Sequence, residues 1–196
     1  MIKAKYLTKV TDLNKVLLED VISEGDIVID ATMGNGYDTK YLAEKVGESG
    51  VVYSFDVQEE AIKSTRKRLE KENLMGRTNL ILDGHENVDK YVSEEVSCVL
   101  FNLGYLPRAK HQVITKPDTT LEAIKKCLNL LKPHGVISIA IYTGHEGGMD
   151  ECDAVFDYVS KLEQAEFNVL NCNFVNQINN PPRLVLIEKK KEYQNN

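Results

Sequence analysis

The chain has 196 residues, a formal net charge of −6 and a sequence pI of about 5.3. A chain of this length forms one domain with a substantial core. Its acidic balance excludes a protein that grips nucleic acid through bulk positive charge, while leaving room for a local basic patch.

Residues 1–10 read as an extension without the apolar core of a signal peptide. Thr11 to Ile22 carries apolar side chains at 13, 16, 17 and 21, a helix stripe with Thr11 or Asp12 as N-cap, expected to pack on the sheet. Ile27 to Ile29 is a short apolar strand ending in Asp30, and a Gly-bearing turn leads into a helical pattern over Tyr37 to Val46. Val51 to Asp56 is the second strand. Gln58 to Asn73 is an amphipathic helix with Ala61, Ile62, Thr65 and Leu69 inward and a solvated charged face. Asn79 to Leu82 and Val96 to Phe101 are the third and fourth strands. Thr119-x-x-Glu122 reads as a capping box for a helix to Leu131, closed by Pro133 and Gly135. Val136 to Tyr142 is the fifth strand, and a helix runs from about Asp150 to Gln164. Phe167 to Val175 and Arg183 to Glu188 are the last strands, and 189–196 is a polar tail.

Strands alternating with helices predict a Rossmann-like α/β domain over 1–196: a seven-stranded, mostly parallel sheet with helices on both faces and right-handed crossovers. No helix separates the last two strands, so they form a hairpin and the final strand runs antiparallel. No apolar run approaches the roughly 20 residues of a membrane span, and the expected place of action is the cytoplasm. Cys98, Cys127, Cys152 and Cys172 are widely spaced, and the histidines show no ligand spacing. Free thiols and no metal are expected.

In such sheets ligands bind beyond the carboxyl ends of the parallel strands, so the segments 30–39, 56–58, 83–87, 102–107 and 142–148 are the site candidates, with the 179–183 tip. Gly34 and Gly36, either side of Asn35, let backbone approach a ligand, and the helix start behind them offers N–H donors. The third glycine of the dinucleotide fingerprint is absent, and Gly-x-Gly alone fits a structural turn equally well. Asp56 adds weight. It lies about twenty residues on, where a carboxylate accepts bonds from ribose hydroxyls, with Gln58 beside it. Asp30 precedes the glycines, where a pyrophosphate needs no acid but a cationic amino-acid end favours one. The pair suits S-adenosylmethionine better than NAD. Asp38 and Thr39 follow, to bond that amino group or the backbone.

His85 and Glu86 follow the third strand. They border an adenine, or they form a polar turn. Asn102-Leu-Gly-Tyr105 follows the fourth and resembles the Asn-Pro-Pro-Tyr loops of amino-group methyltransferases, with both prolines replaced. A plain turn with Tyr105 over the core is the other reading. Tyr142 and His145 leave the fifth strand in a glycine-rich loop, with His145 either a base or RNA contact or a solvated histidine. Arg108, Lys110, Lys116 and Arg183 are candidates for a basic rim that takes RNA phosphates.

The segments 30–39, 101–107, 115–120, 141–148 and 176–182 together resemble one family, a small bacterial class I methyltransferase family labelled as rRNA methylases. Its members act as tRNA 5-aminomethyl-2-thiouridine methyltransferases. The likeness runs from about Leu13 to Glu188. It implies methyl transfer from S-adenosylmethionine to the aminomethyl nitrogen of the wobble uridine in the tRNA anticodon stem-loop, and a homodimer. Methylation of rRNA or a small amine, an NAD-dependent oxidoreductase and a non-catalytic cofactor-binding module are the competing readings.

Overall fold

The computed structural model describes residues 9–104, 114–178 and 181–191. Helix α1 (Val10–Leu17) precedes β1 (Ile27–Asp30), α2 (Tyr37–Val46), β2 (Val51–Asp56), α3 (Glu59–Lys71), β3 (Thr78–Leu82), β4 (Val96–Leu103), α4 (Pro117–Leu130), β5 (Leu131–Ile141), α5 (Gly148–Val159), β6 (Phe167–Cys172) and β7 (Arg183–Lys189). The seven strands form one sheet in the order β3-β2-β1-β4-β5-β7-β6. All neighbours through β5 pair in parallel, and β7 runs antiparallel to both β5 and β6. The predicted fold class and the antiparallel last strand are therefore observed.

The strands most central to the order are mostly apolar because both faces are covered. Along β4, Val99, Phe101 and Leu103 pack against α4, α5 and a 3₁₀ turn at His85–Lys90. Cys98 and Leu100 face the other way, against α2, α3 and the end of the α1 turn. Among the described residues, Cys98, Cys127 and Cys152 are buried free thiols and Cys172 is half-buried. Burial pushes the Cys98 thiol up and the Cys127 thiol up to about 12, so neither is a nucleophile at neutral pH.

Three local readings are corrected by tertiary packing. Helix α1 turns its inner face through Val10, Asn14 and, just beyond the helix, Leu18, while Val16 is 70% exposed and Leu17 39% exposed. The expected stripe missed this because the inner face contains a polar residue. Asn14 accepts a hydrogen bond from the buried Ser138 hydroxyl at 2.6 Å, which compensates its burial. The N-cap is Lys9 rather than Thr11 or Asp12, and Val10 is core rather than extension.

Helix α4 starts at Pro117, not at a capping box around Thr119. Proline suits the first helical position, where its missing N–H has no partner to lose. Thr119 donates its hydroxyl to the Lys116 carbonyl. Strand β5 begins at Leu131, immediately after α4, with Pro133 and Gly135 inside it. Leu131 pairs with Val96 and Val136 with Cys98, so residues 132–135 bulge from the ladder, with His134 at φ 65°. Finally, α5 ends at Val159 and β6 at Cys172, both earlier than expected.

Candidate active site

The site begins where β1 ends. The strand order reverses direction at β1, with β2 on one side and β4 on the other, and a crevice opens at such a switch point. Ala31 N donates to Leu100 O at 2.8 Å and Met33 N to Phe55 O at 2.9 Å, so the outgoing chain bridges both neighbours. It then turns at Gly34-Asn35-Gly36. Gly36 has φ 74°, ψ 23°, and a Cβ there would meet Thr65 Oγ1 at 2.6 Å. Only glycine meets both demands at that position.

Helix α3 clamps the turn from outside. Thr65 donates its hydroxyl to Gly34 O at 3.1 Å, and Arg68 Nε donates to Asn35 O at 2.8 Å while its guanidinium lies over the Tyr37 ring. From the cavity side, Gly34 N donates to Asp56 Oδ2 and Gln58 N to Asp56 Oδ1, both at 2.9 Å. Burial raises the Asp56 carboxyl, and these two donors pull it back. Each oxygen keeps a further acceptor direction.

The cavity in front of this turn has a volume of about 970 Å³, at the upper end of the roughly 300–1,000 Å³ typical of ligand pockets. Gly34, Asn35, Asp38, Asp56, Gln58, His85, Glu86, Asn102, Lys116, Tyr142 and His145 all border it, so eleven of the sequence-predicted positions converge. Asp30, Gly36 and Thr39 do not reach its wall. Asp30 is fully buried, accepting Thr39 Oγ1 at 2.6 Å and Thr32 N at 3.2 Å. Burial first, and then the like charge of Asp38, push its carboxyl up to about 7. Its observed part is to tie β1 to the first turn of α2 from beneath.

The carboxylate that faces the cavity instead is Asp38. Its Oδ2 accepts Asn102 Nδ2 at 2.7 Å, and Lys15 Nζ stands 3.9 Å from its Oδ1. Asn102 lies inside β4, not in the following loop, and its backbone N donates to Thr32 Oγ1 at 2.7 Å. The β1 and β4 ends are thus joined by side chains as well as by the ladder.

His85 is buried, edge-on to Phe101, with Nδ1 3.0 Å from the Ala31 carbonyl. A carbonyl only accepts, so Nδ1 carries the proton in this contact. Burial lowers the ring's pKa and keeps it neutral. The ring is a wall of the cavity that also braces β1. Tyr142 has its phenol pushed up, first by burial and then by Asp38, and its N donates to Leu103 O. His145 Nδ1 lies 2.9 Å from Glu146 O, and its ring approaches the left-handed Gly104 backbone.

A buried clamp fixes the two acceptor-side segments. Thr115 Oγ1 accepts Gly104 N at 3.0 Å and donates to Glu151 Oε2 at 2.6 Å, while Thr120 donates to Glu151 Oε1 at 2.7 Å. Glu151 belongs to the first turn of α5, whose start follows directly on the His145 loop. One buried carboxylate therefore ties β4, α4 and α5 together.

Sequence reasoning missed this clamp, since a glutamate in a helix and two threonines carry no motif. It also missed Lys9, Thr11 and Lys15, which border the cavity from the N-terminal side. Of the expected basic rim, Lys116 is at the cavity. Arg183 is not, because its guanidinium lies over the Phe156 ring of α5, 5.5 Å from the centroid. Tyr105, Arg108 and Lys110 lie outside the described residues, as do 179 and 180. Among the described residues no cluster of metal-ligating groups occurs, and no helix is long and apolar enough to cross a membrane.

The donor set fits S-adenosylmethionine. Asp56 offers acceptor directions that a diol would meet, Asp38 a negative charge that a cationic end would meet, and Gly34 carries no side chain between them.

The family model described as "Putative rRNA methylase" matches residues 52–188. The chain is 38% identical over 198 aligned residues, 93% of its length and 70% of the relative's, to "tRNA (mnm(5)s(2)U34)-methyltransferase, chloroplastic" of Arabidopsis thaliana. Its fold matches that of a "putative rRNA-methylase" from Clostridium thermocellum with TM-score 0.91 and 42% identity, covering 96% of this chain and 100% of that one. A "putative methyltransferase" from Streptococcus mutans, solved in complex with SAH, matches with TM-score 0.84 and 46% identity, covering 96% and 99%. The chain belongs to this rRNA methylase family, whose fold is that of the class I S-adenosylmethionine-dependent methyltransferases.

Proposed function

We propose that this methyltransferase transfers a methyl group from S-adenosylmethionine to the aminomethyl nitrogen of 5-aminomethyl-2-thiouridine at the tRNA wobble position, giving 5-methylaminomethyl-2-thiouridine. The observation that carries this reading is Asn102 at the wall of the same cavity as Asp56 and the Gly34 turn, with its amide nitrogen committed to Asp38. The likeness to the Arabidopsis enzyme supports the choice of acceptor.

When bound, S-adenosylmethionine supplies a methyl group on a sulfonium, which needs alignment more than activation. Asp56 and Gln58 hold the ribose end, and Asp38 and the 34–38 backbone hold the amino-acid end. Asn102 Nδ2 gives one of its two protons to Asp38, which orients the amide and leaves its oxygen as the acceptor end. That oxygen accepts an N–H of the acceptor amine and turns the nitrogen lone pair toward the methyl group. The amine must be neutral to attack, and an amide oxygen, unlike a carboxylate, does not hold it as a cation. Tyr142 and His145 close the other side. The same reading takes the cytoplasm as the place of action and a homodimer as the working form. The edge strand β6 leaves Val169 and Leu170 exposed, which supports the latter, and light scattering on the eluted protein tests it.

The test of the reaction is methyl transfer by the purified protein to tRNA from a strain lacking the gene, followed by nucleoside mass spectrometry. The expected result is loss of 5-aminomethyl-2-thiouridine and growth of its methylated form. Methyl groups appearing only in rRNA or in a small amine would keep the cofactor assignment and remove the acceptor.

A further inference from the structure

A second groove of about 300 Å³ adjoins the main cavity, between the N-terminal approach to α1 and the β6–β7 connection. The two share Lys9, Thr11, Tyr142 and Pro182, so they are one continuous surface. Beyond the shared wall the groove is built by Val10, Phe174, Gln177 and Pro181. Phe174 rests on the buried patch of Val10, Ala140 and Leu184, which gives its ring a firm base. Tyr142 is pinned through its backbone to β4.

The charge of the two spaces differs. Asp38, Asp56, Asp83 and Glu86 line the main cavity, with Lys9, Lys15 and Lys116 on its other walls. No carboxylate lines the groove among the described residues, and Lys9 sits where the two meet. The carboxylates of the main cavity suit a ligand carrying a sulfonium and an ammonium. The groove, with aromatic and proline walls beside a lysine, suits a flat base on a phosphate chain.

We propose that this groove binds the nucleotide adjoining the methylated one, with its base stacked on Phe174 and its phosphate near Lys9. The proposal rests on the RNA acceptor of the preceding section and adds to it a positioning surface. Holding the neighbour would fix how far the target nucleotide enters the main cavity, and would favour an RNA acceptor over a free nucleoside.

The test uses a synthetic anticodon stem-loop bearing 5-aminomethyl-2-thiouridine, alone and with an abasic residue at each flanking position in turn. Phe174→Ala should raise KM for the intact stem-loop on the order of tenfold, with KM for S-adenosylmethionine unmoved. Phe174→Leu keeps the apolar packing without the ring and should behave alike, whereas Phe174→Tyr should retain wild-type KM. One abasic substitution should weaken the wild type to the same extent, and combining it with Phe174→Leu should add nothing further. An unchanged RNA KM in the folded Leu variant, or abasic and Leu effects that multiply independently, would overturn the groove assignment while leaving the reaction intact. A wild-type enzyme that transfers no methyl group to the stem-loop would overturn both.

Discussion

The two halves of the cavity are made in different ways. The half around β1 and β2 is a backbone object. One short turn, Met33 to Gly36, is held by the β2 end on one side and by Thr65 and Arg68 of α3 on the other. The half around β4 and β5 is a side-chain object, assembled from Asn102, the Thr115–Glu151 clamp, Tyr142 and a lysine from ahead of α1. A cofactor with a fixed shape is met by fixed backbone. The proposed acceptor would instead be met by side chains drawn from separate elements.

If the halves are separable, substitutions should sort by which substrate they affect. The largest effect is expected from Asn102→Ala, which should lower kcat by about 10²–10³ while S-adenosylmethionine affinity by calorimetry stays within a few-fold. Full turnover would take Asn102 out of the reaction. Asp56→Ala should weaken S-adenosylmethionine by about 10–100-fold, since it removes charge-assisted bonds worth about 1.5–3 kcal/mol. Unchanged affinity in a folded protein would sink the ribose assignment.

Glu151→Gln sharpens the comparison, because it lies entirely in the acceptor half. The amide can accept from only one of the two threonines, and a buried unmet group costs about 1–3 kcal/mol, or roughly 2–4 °C in Tm per kcal/mol for a chain of this size. KM for RNA should rise with that loss and KM for S-adenosylmethionine should not. Equal rises in both would show that the clamp serves the whole cavity.

The effect furthest from the chemistry concerns Asp30. Its carboxyl is raised from 3.8 to about 7. Between those values the folded chain holds a proton that the unfolded chain has lost, so this group's stabilisation is present at low pH and fades as pH rises toward 7 and above. Asp30→Asn should flatten that dependence, leaving the variant relatively more stable at pH 8 than at pH 5 by thermal melting. Parallel curves for the two proteins would mean that Asp30 is already ionised in the folded state across the range.

The same division explains what was legible in the residues. The alternation of strands and helices, the antiparallel β7 and the ends of β1 and β2 follow from local pattern, since buried strands are apolar and the turn needs glycine. The role of Asp30 was misread because its neighbours in sequence do not reveal that Thr39 folds over it. Arg183 was assigned to the rim because basic residues near a loop suggest phosphate, yet Phe156 of α5 captures its guanidinium. The Gly104–Thr115–Glu151–Thr120 clamp joins residues up to 47 positions apart, and nothing in their spacing announces it. Likewise the inner face of α1 hides behind Asn14, a polar residue made core by Ser138.

The most direct measurement is steady-state methyl transfer with both substrates varied, comparing wild type, Asp56→Ala and Phe174→Leu in one experiment with the anticodon stem-loop as acceptor. The predicted result is a crossed pattern: Asp56→Ala raises KM for S-adenosylmethionine and leaves that for RNA, and Phe174→Leu does the reverse. Both constants moving together in both variants would contradict a cavity divided between a cofactor half and an acceptor half.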